Sequence, residues 1–196
     1  MGNYYTETDD VQFTEPILAQ KGVKLVLNFA QKTQWEAKTD GKKDGRKFDA
    51  TKLTLDIDDA SVKTEHADAK PRRTIEDQFN IQGFPYQDKK TGETKTLGRQ
   101  KLFQLETAFG FPPVFVVDGK QVEAFTSKTG KKLAPKIEGV KRVINPDFFD
   151  AYFDQEGNPK MENWSGKTVY ADIEVETSEQ FGSKNVVSRY VVAPAL

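Results

Sequence analysis

Five separate stretches of this 196-residue chain read as strands, and in four of them apolar side chains fall on alternate positions. Val23, Leu25, Leu27 and Phe29 alternate with mostly polar neighbours, and Trp35 keeps their parity, so residues 22–37 read as one long strand. Leu53, Leu55 and Ile57 mark a second strand, and Ile75, Phe79 and Ile81 a third over 72–83. Val169, Ala171, Ile173 and Val175 mark a fourth, and Val186–Val192 a fifth. A period of two turns one face of each strand to a core and the other to water. That is the pattern of an antiparallel sheet, not of a parallel sheet covered on both sides.

The connections are richer in turn chemistry. Residues 38–51 hold Asp-Gly at 40–41 and again at 44–45 and read as a basic loop; Gly83, Pro85 and the stretch to Thr96 read as a second. Thr96 offers an N-cap to a helix over 98–109, where Leu102, Leu105 and Phe109 share one face and Gly110 with Pro112-Pro113 ends it. Val114–Val117, Asp118-Gly119 and Gln121–Phe125 read as a hairpin, and 127–139 as a Lys-rich loop. Asn145-Pro146 caps a short aromatic helix with Phe148, Phe149, Tyr152 and Phe153. Three strands, a helix and two strands is the order of an OB-fold, a five-stranded Greek-key barrel. The predicted fold is therefore mainly β: an OB-fold barrel with a helix between strands 3 and 4 and a long insertion, 110–166, before strand 4. An acidic N-terminal segment, 1–21, precedes a single domain over 22–196.

Charge is where function enters. The net charge of −1 averages opposite blocks. Residues 1–19 carry −4, 20–52 carry +5, 53–87 carry −3, 88–142 carry +6 and 143–196 carry −5. The two basic blocks coincide with the loop-like stretches. Lys38, Lys42, Lys43, Arg46 and Lys47 lie between Trp35 and Phe48; Arg72 and Arg73 open the third strand; Phe84, Tyr86, Lys89, Lys90, Lys95 and Arg99 follow it. Cations spaced for phosphates and aromatic faces for bases are what single-stranded nucleic acid requires, and loops at one end of a barrel could supply both. Lys-rich loops are also ordinary solvated surface, and Phe79 shares parity with the core residues Ile75 and Ile81.

Other chemistries find less to work with. There is no cysteine and a single histidine, His66, in a polar stretch that reads as surface. Ser165-Gly166-Lys167-Thr168 resembles the end of a P-loop, but Met161 stands where the first glycine belongs and a strand follows instead of a helix. Asp56 with Asp58, and Asp172 with Glu174 and Glu176, share strand faces. They leave open a Mg²⁺-dependent nuclease or related phosphoryl-transfer enzyme. A third class is a protein-interaction or virion-structural module, a homo-oligomer joined through the aromatic insertion. No apolar run approaches the ~20 residues of a membrane span, and Met1–Tyr5 lack an apolar signal core, so a cytoplasmic protein without a membrane partner is expected.

The segments Arg73–Gln82, Thr91-Gly92 and Leu97–Leu102, the helix ending Thr107-Ala108-Phe109-Gly110, and the closing stretches Gly166–Val175 and Asn185–Val191 together resemble phage and prophage single-stranded-DNA-binding proteins with an OB-fold. The resemblance spans 22–109 and 166–192. It implies sequence-independent binding of single-stranded DNA in phage-type replication or recombination, without catalysis or cofactor, in the host cytoplasm, with replication or recombination proteins as partners. That family often ends in an acidic tail; this chain ends Val191-Val192-Ala193-Pro194-Ala195-Leu196.

Overall fold

The computed structural model describes residues 14–39, 42–81, 84–87, 94–97, 99–128, 130, 132–180 and 182–193. In chain order the elements are β1 (Thr14–Glu15), β2 (Gln20–Thr39), β3 (Lys42–Ile57), β4 (Lys70–Pro71), β5 (Thr74–Asn80), β6 (Phe84–Gln87), β7 (Thr94–Leu97) and α1 (Gln100–Ala108). The insertion follows with β8 (Val114–Val117), β9 (Lys120–Val122), β10 (Phe125–Thr126), β11 (Lys132–Leu133), β12 (Lys141–Val143), α2 (Pro146–Tyr152) and α3 (Met161–Trp164). β13 (Thr168–Ser178) and β14 (Gly182–Val191) close the chain.

The five strand-like stretches form one antiparallel sheet of order β14-β13-β2-β3-β5. Its inner face is the core: Val23, Leu25 and Leu27 meet Leu53, Leu55 and Ile57, then Ile75 and Phe79, with Val169, Ala171 and Ile173 on the other flank. α1 adds Leu102 and Leu105. Ile17 is also fully buried, its backbone amide and carbonyl both held by the Asn185 side chain at 2.8 Å. The last third of the acidic N-terminal segment thus belongs to the folded body, while residues 1–13 lie outside the described residues.

The expected barrel is not closed. Among the described residues β5 and β14 form no ladder, although they are the two edges of the sheet and approach one another. At this seam α1 supplies one partner that a closing strand would otherwise give: Gln104 Oε1 accepts the Tyr190 backbone N–H at 3.0 Å. Side chains span the seam instead: Tyr190 Oη donates to Asp77 Oδ2 at 2.8 Å, and Lys101 Nζ donates to Asp77 Oδ1.

Three local expectations change. The basic loop over 38–51 is strand almost throughout, because β3 begins at Lys42 and pairs with β2 as far as Thr39↔Lys42; Gly45 takes φ +82° at a shift in that ladder, between Glu36↔Lys47 and Lys38↔Lys43. Phe29 leaves the core parity: the ladder shifts register between Leu27 and Phe29, so Ala30 is buried and Phe29 is 45 % exposed. The helix opens at Gln100 with Arg99 at its N-cap and no side-chain cap, Thr96 being part of β7.

The insertion packs onto this body through its aromatic residues. Asn145 Oδ1 accepts from the amides of Asp147 and Phe148, as the Asn-Pro signature requires, and starts α2. Phe148, Tyr152, Phe153 and Trp164 are buried and interlock with Phe109. The aromatic helix proposed as an oligomer surface is therefore largely core. A buried carboxylate secures the join: Glu106 of α1 accepts from Arg142 Nη2 and from the Asn145 amide, each at 2.9 Å. Burial pushes its pKa up, against the pull of those two donors.

Candidate nucleic-acid interface

β13 supports β2 only through Val26, and β5 supports β3 only from Ala50 on. Beyond these points β2 and β3 continue as a two-stranded ribbon over 34–39 and 42–49, about 20 Å long at ~3.3 Å per residue. Trp35 and Phe48 are directly opposed on it and stack, their ring centroids 5.1 Å apart at 27°. Both are half-buried, and Lys43, Arg46 and Lys47 beside them are exposed. Lys43 pairs with Glu36 at 3.3 Å, and Glu36 also accepts the Gly45 amide at 3.1 Å.

Because the bulge after Leu27 reverses parity, Phe29, Gln31, Thr33 and Trp35 all lie on the outer face of the sheet, opposite Thr54, Lys52, Ala50 and Phe48. A groove of about 940 Å³ adjoins this face at Thr33 and Lys52 and runs along the seam between β5, from Thr74 to Gln78, and β14, from Lys184 to Ser188. The groove is electrostatically balanced. Lys52 pairs with Glu76 at 2.7 Å, Lys184 with Glu176 at 3.6 Å, and Lys101 with Asp77. Net positive charge therefore enters from the ribbon, not from the groove floor.

The predicted site residues do not gather at one end. Asp56↔Thr74 and Ala50↔Asn80 are the two ends of the β3–β5 ladder, so Arg72 and Arg73 stand at the opposite end from the ribbon, about 20 Å away at ~3.3 Å per residue. Both are exposed; Arg72 reaches the Ser183 carbonyl at 3.4 Å and Arg73 the Asp59 carbonyl at 2.8 Å. Arg99 is on the ribbon side but is partly buried, donating through Nε to the Ile81 carbonyl at 3.0 Å, and burial lowers its pKa. This bond ties the start of α1 to the residue that follows β5. The backbones of Phe84, Tyr86 and Lys95 form the β6–β7 hairpin, and those of Lys38 and Lys42 the ribbon tip. The side chains of these five, and Lys89 and Lys90 altogether, lie outside the described residues.

Sequence reasoning missed Phe29 and Lys52, which the bulge and the ladder bring to the same face as Trp35. The only cue was the small Ala30 following a strict alternation. The carboxylates suggested for metal chemistry go to separate partners: Asp56 to Asn28 at 2.5 Å, Asp58 to Lys24 at 2.5 Å, and Asp172 to Arg189 at 2.6 Å. Among the described residues no three His, Cys, Asp or Glu side chains converge where a metal ion could be held. His66 is exposed and bonded to Glu15 Oε1 at 2.7 Å, which raises its pKa. Among the described residues no helix is long and apolar enough to cross a membrane. No protein-family model matches the chain, and neither does any curated protein or solved structure.

Proposed function

We propose that this protein binds single-stranded DNA without sequence preference, in phage-type replication or recombination. The observation that carries the reading is the Trp35–Phe48 stack on a ribbon whose neighbouring Lys43, Arg46 and Lys47 are exposed. Aromatic faces accept any base, and cations beside them neutralise the phosphates between. The strand order, with α1 between the third and fourth main strands, supports an OB-fold arrangement in a partly open form. In such barrels the face of the second and third strands and the loop joining the first two bind oligonucleotides. Here the ribbon joins the first two main strands, and the groove borders the third along its seam with β14. Phe29 and Lys52 extend the track toward Arg72.

A fluorescence titration with poly-dT at two salt concentrations tests this. The expected result is saturable binding at low salt that weakens steeply as salt rises. Absence of binding at low salt, or an affinity indifferent to salt, overturns it.

A further inference from the structure

Within the insertion, β10 and β11 pair only with each other and contain no buried residue. Phe125 and Leu133 are directly opposed on this two-stranded tongue and so share one of its faces; Thr126 and Lys132 occupy the other, where Lys132 Nζ donates to Thr126 Oγ1 at 2.6 Å. Phe125 is 61 % exposed and Leu133 39 %, and Ile137 shortly after is 48 % exposed. Single exposed apolar residues need no explanation. Three of the seven large ones found exposed among the described residues, crowded into thirteen positions on an element that builds no core, do need one. Charge decides the occupant. Residues 123–138 carry four lysines against Glu123 and Glu138 at the two ends, a net +2, and the described Lys128 and Lys136 flank the tongue, both exposed. A second copy docking through a two-fold axis here would set lysines against lysines. A polyanion with flat apolar faces fits both the charge and the exposed ring.

We propose that the β10–β11 tongue is a second contact for single-stranded DNA, Phe125 stacking on a base above Leu133 while Lys128 and Lys136 hold flanking phosphates. This rests on the nucleic-acid reading of the ribbon. It adds a site in the insertion, outside the five-stranded sheet.

Poly-dT titrations of the wild type, Phe125→Ala and a Lys128→Gln/Lys136→Gln double variant separate the two claims. The tongue predicts about ten-fold weaker binding for Phe125→Ala, within the range for a lost base stack, at an unchanged thermal midpoint because the side chain is mostly exposed. It predicts a salt slope shallower by about 1.4 for the double variant, two phosphates at ~0.7 each. A wild type that fails to bind overturns the nucleic-acid reading and the tongue with it. A wild type that binds, with both variants matching it in affinity and salt slope, overturns the tongue alone. A wild-type dimer in light scattering that Phe125→Asp dissolves would assign this face to a second copy and overturn the proposal as well.

Discussion

Glu106 shows how much can rest on one carboxylate. It is fully buried, and its two oxygens bind Arg142, whose guanidinium lies 4.4 Å from the Phe103 ring, and the amide of Asn145, whose own side chain starts α2. One residue therefore ties α1 to the insertion. Removing one member of a buried charge pair leaves the other uncompensated, so Glu106→Ala should destabilise the fold by about 3 kcal/mol in urea unfolding. The pH dependence has a definite sign. An acid whose folded pKa is raised binds its proton more tightly in the fold, so lowering the pH through that folded pKa toward the unfolded value near ~4.3 adds stability. The stability of wild type relative to Glu106→Gln should accordingly rise between pH 7 and 4.5. Asp172 runs the other way. Burial opposes ionisation, but Arg189 and the Gly22 amide outweigh it and hold the pKa below normal, so its contribution is lost as acid titrates it. The Asn145 cap was legible from the Asn-Pro pair. The partner of Glu106 was not, because a contact across 36 residues leaves no local pattern.

Among elements, β2 is the one whose sequence misleads. Alternation read from Val23 to Trp35 assigns Leu27 and Phe29 to one core face, and it is right about Leu27, which is fully buried. A one-residue bulge costs little energy and makes no signature in composition, yet it sends every later side chain to the other face. The two readings differ measurably. Leu27→Ala should cost about 2–5 kcal/mol of stability, as buried leucines do, whereas Phe29→Ala should cost under about 1 kcal/mol. Urea midpoints compare them directly, and a Phe29 variant as damaging as the Leu27 one would restore the unbulged register. The ribbon was hidden for a related reason. Asp-Gly at 44–45 carries turn chemistry, and the glycine's positive φ serves a shift in the ladder between Glu36↔Lys47 and Lys38↔Lys43, so the turn signal marks a bulge within a longer ribbon.

Taken whole, the molecule matches the order of elements read from its sequence and departs from it in closure. Five strands, the helix after the third and the insertion before the fourth were all visible as periodicity and punctuation. The seam between β5 and β14 was not, since it turns on the Gln104 side chain and on Asp77, Lys101 and Tyr190 meeting across 113 positions of chain. Tyr190 is fully buried against Asp77, and burial followed by the carboxylate's charge drives its pKa far up, so the phenol stays a donor. Tyr190→Phe should cost about 1–3 kcal/mol, the range for leaving a buried acceptor short of a partner, and urea unfolding reads it. The seam also bears on solubility. A lone sheet edge is a template on which a neighbouring chain can add a strand and begin a fibre. Here the two edges of the main sheet face each other, with Arg72 and Lys184 beside the gap. Cationic side chains along an open groove make each edge a poorer template for an added strand, so charge does at this seam what a completed ladder would do in a closed cylinder.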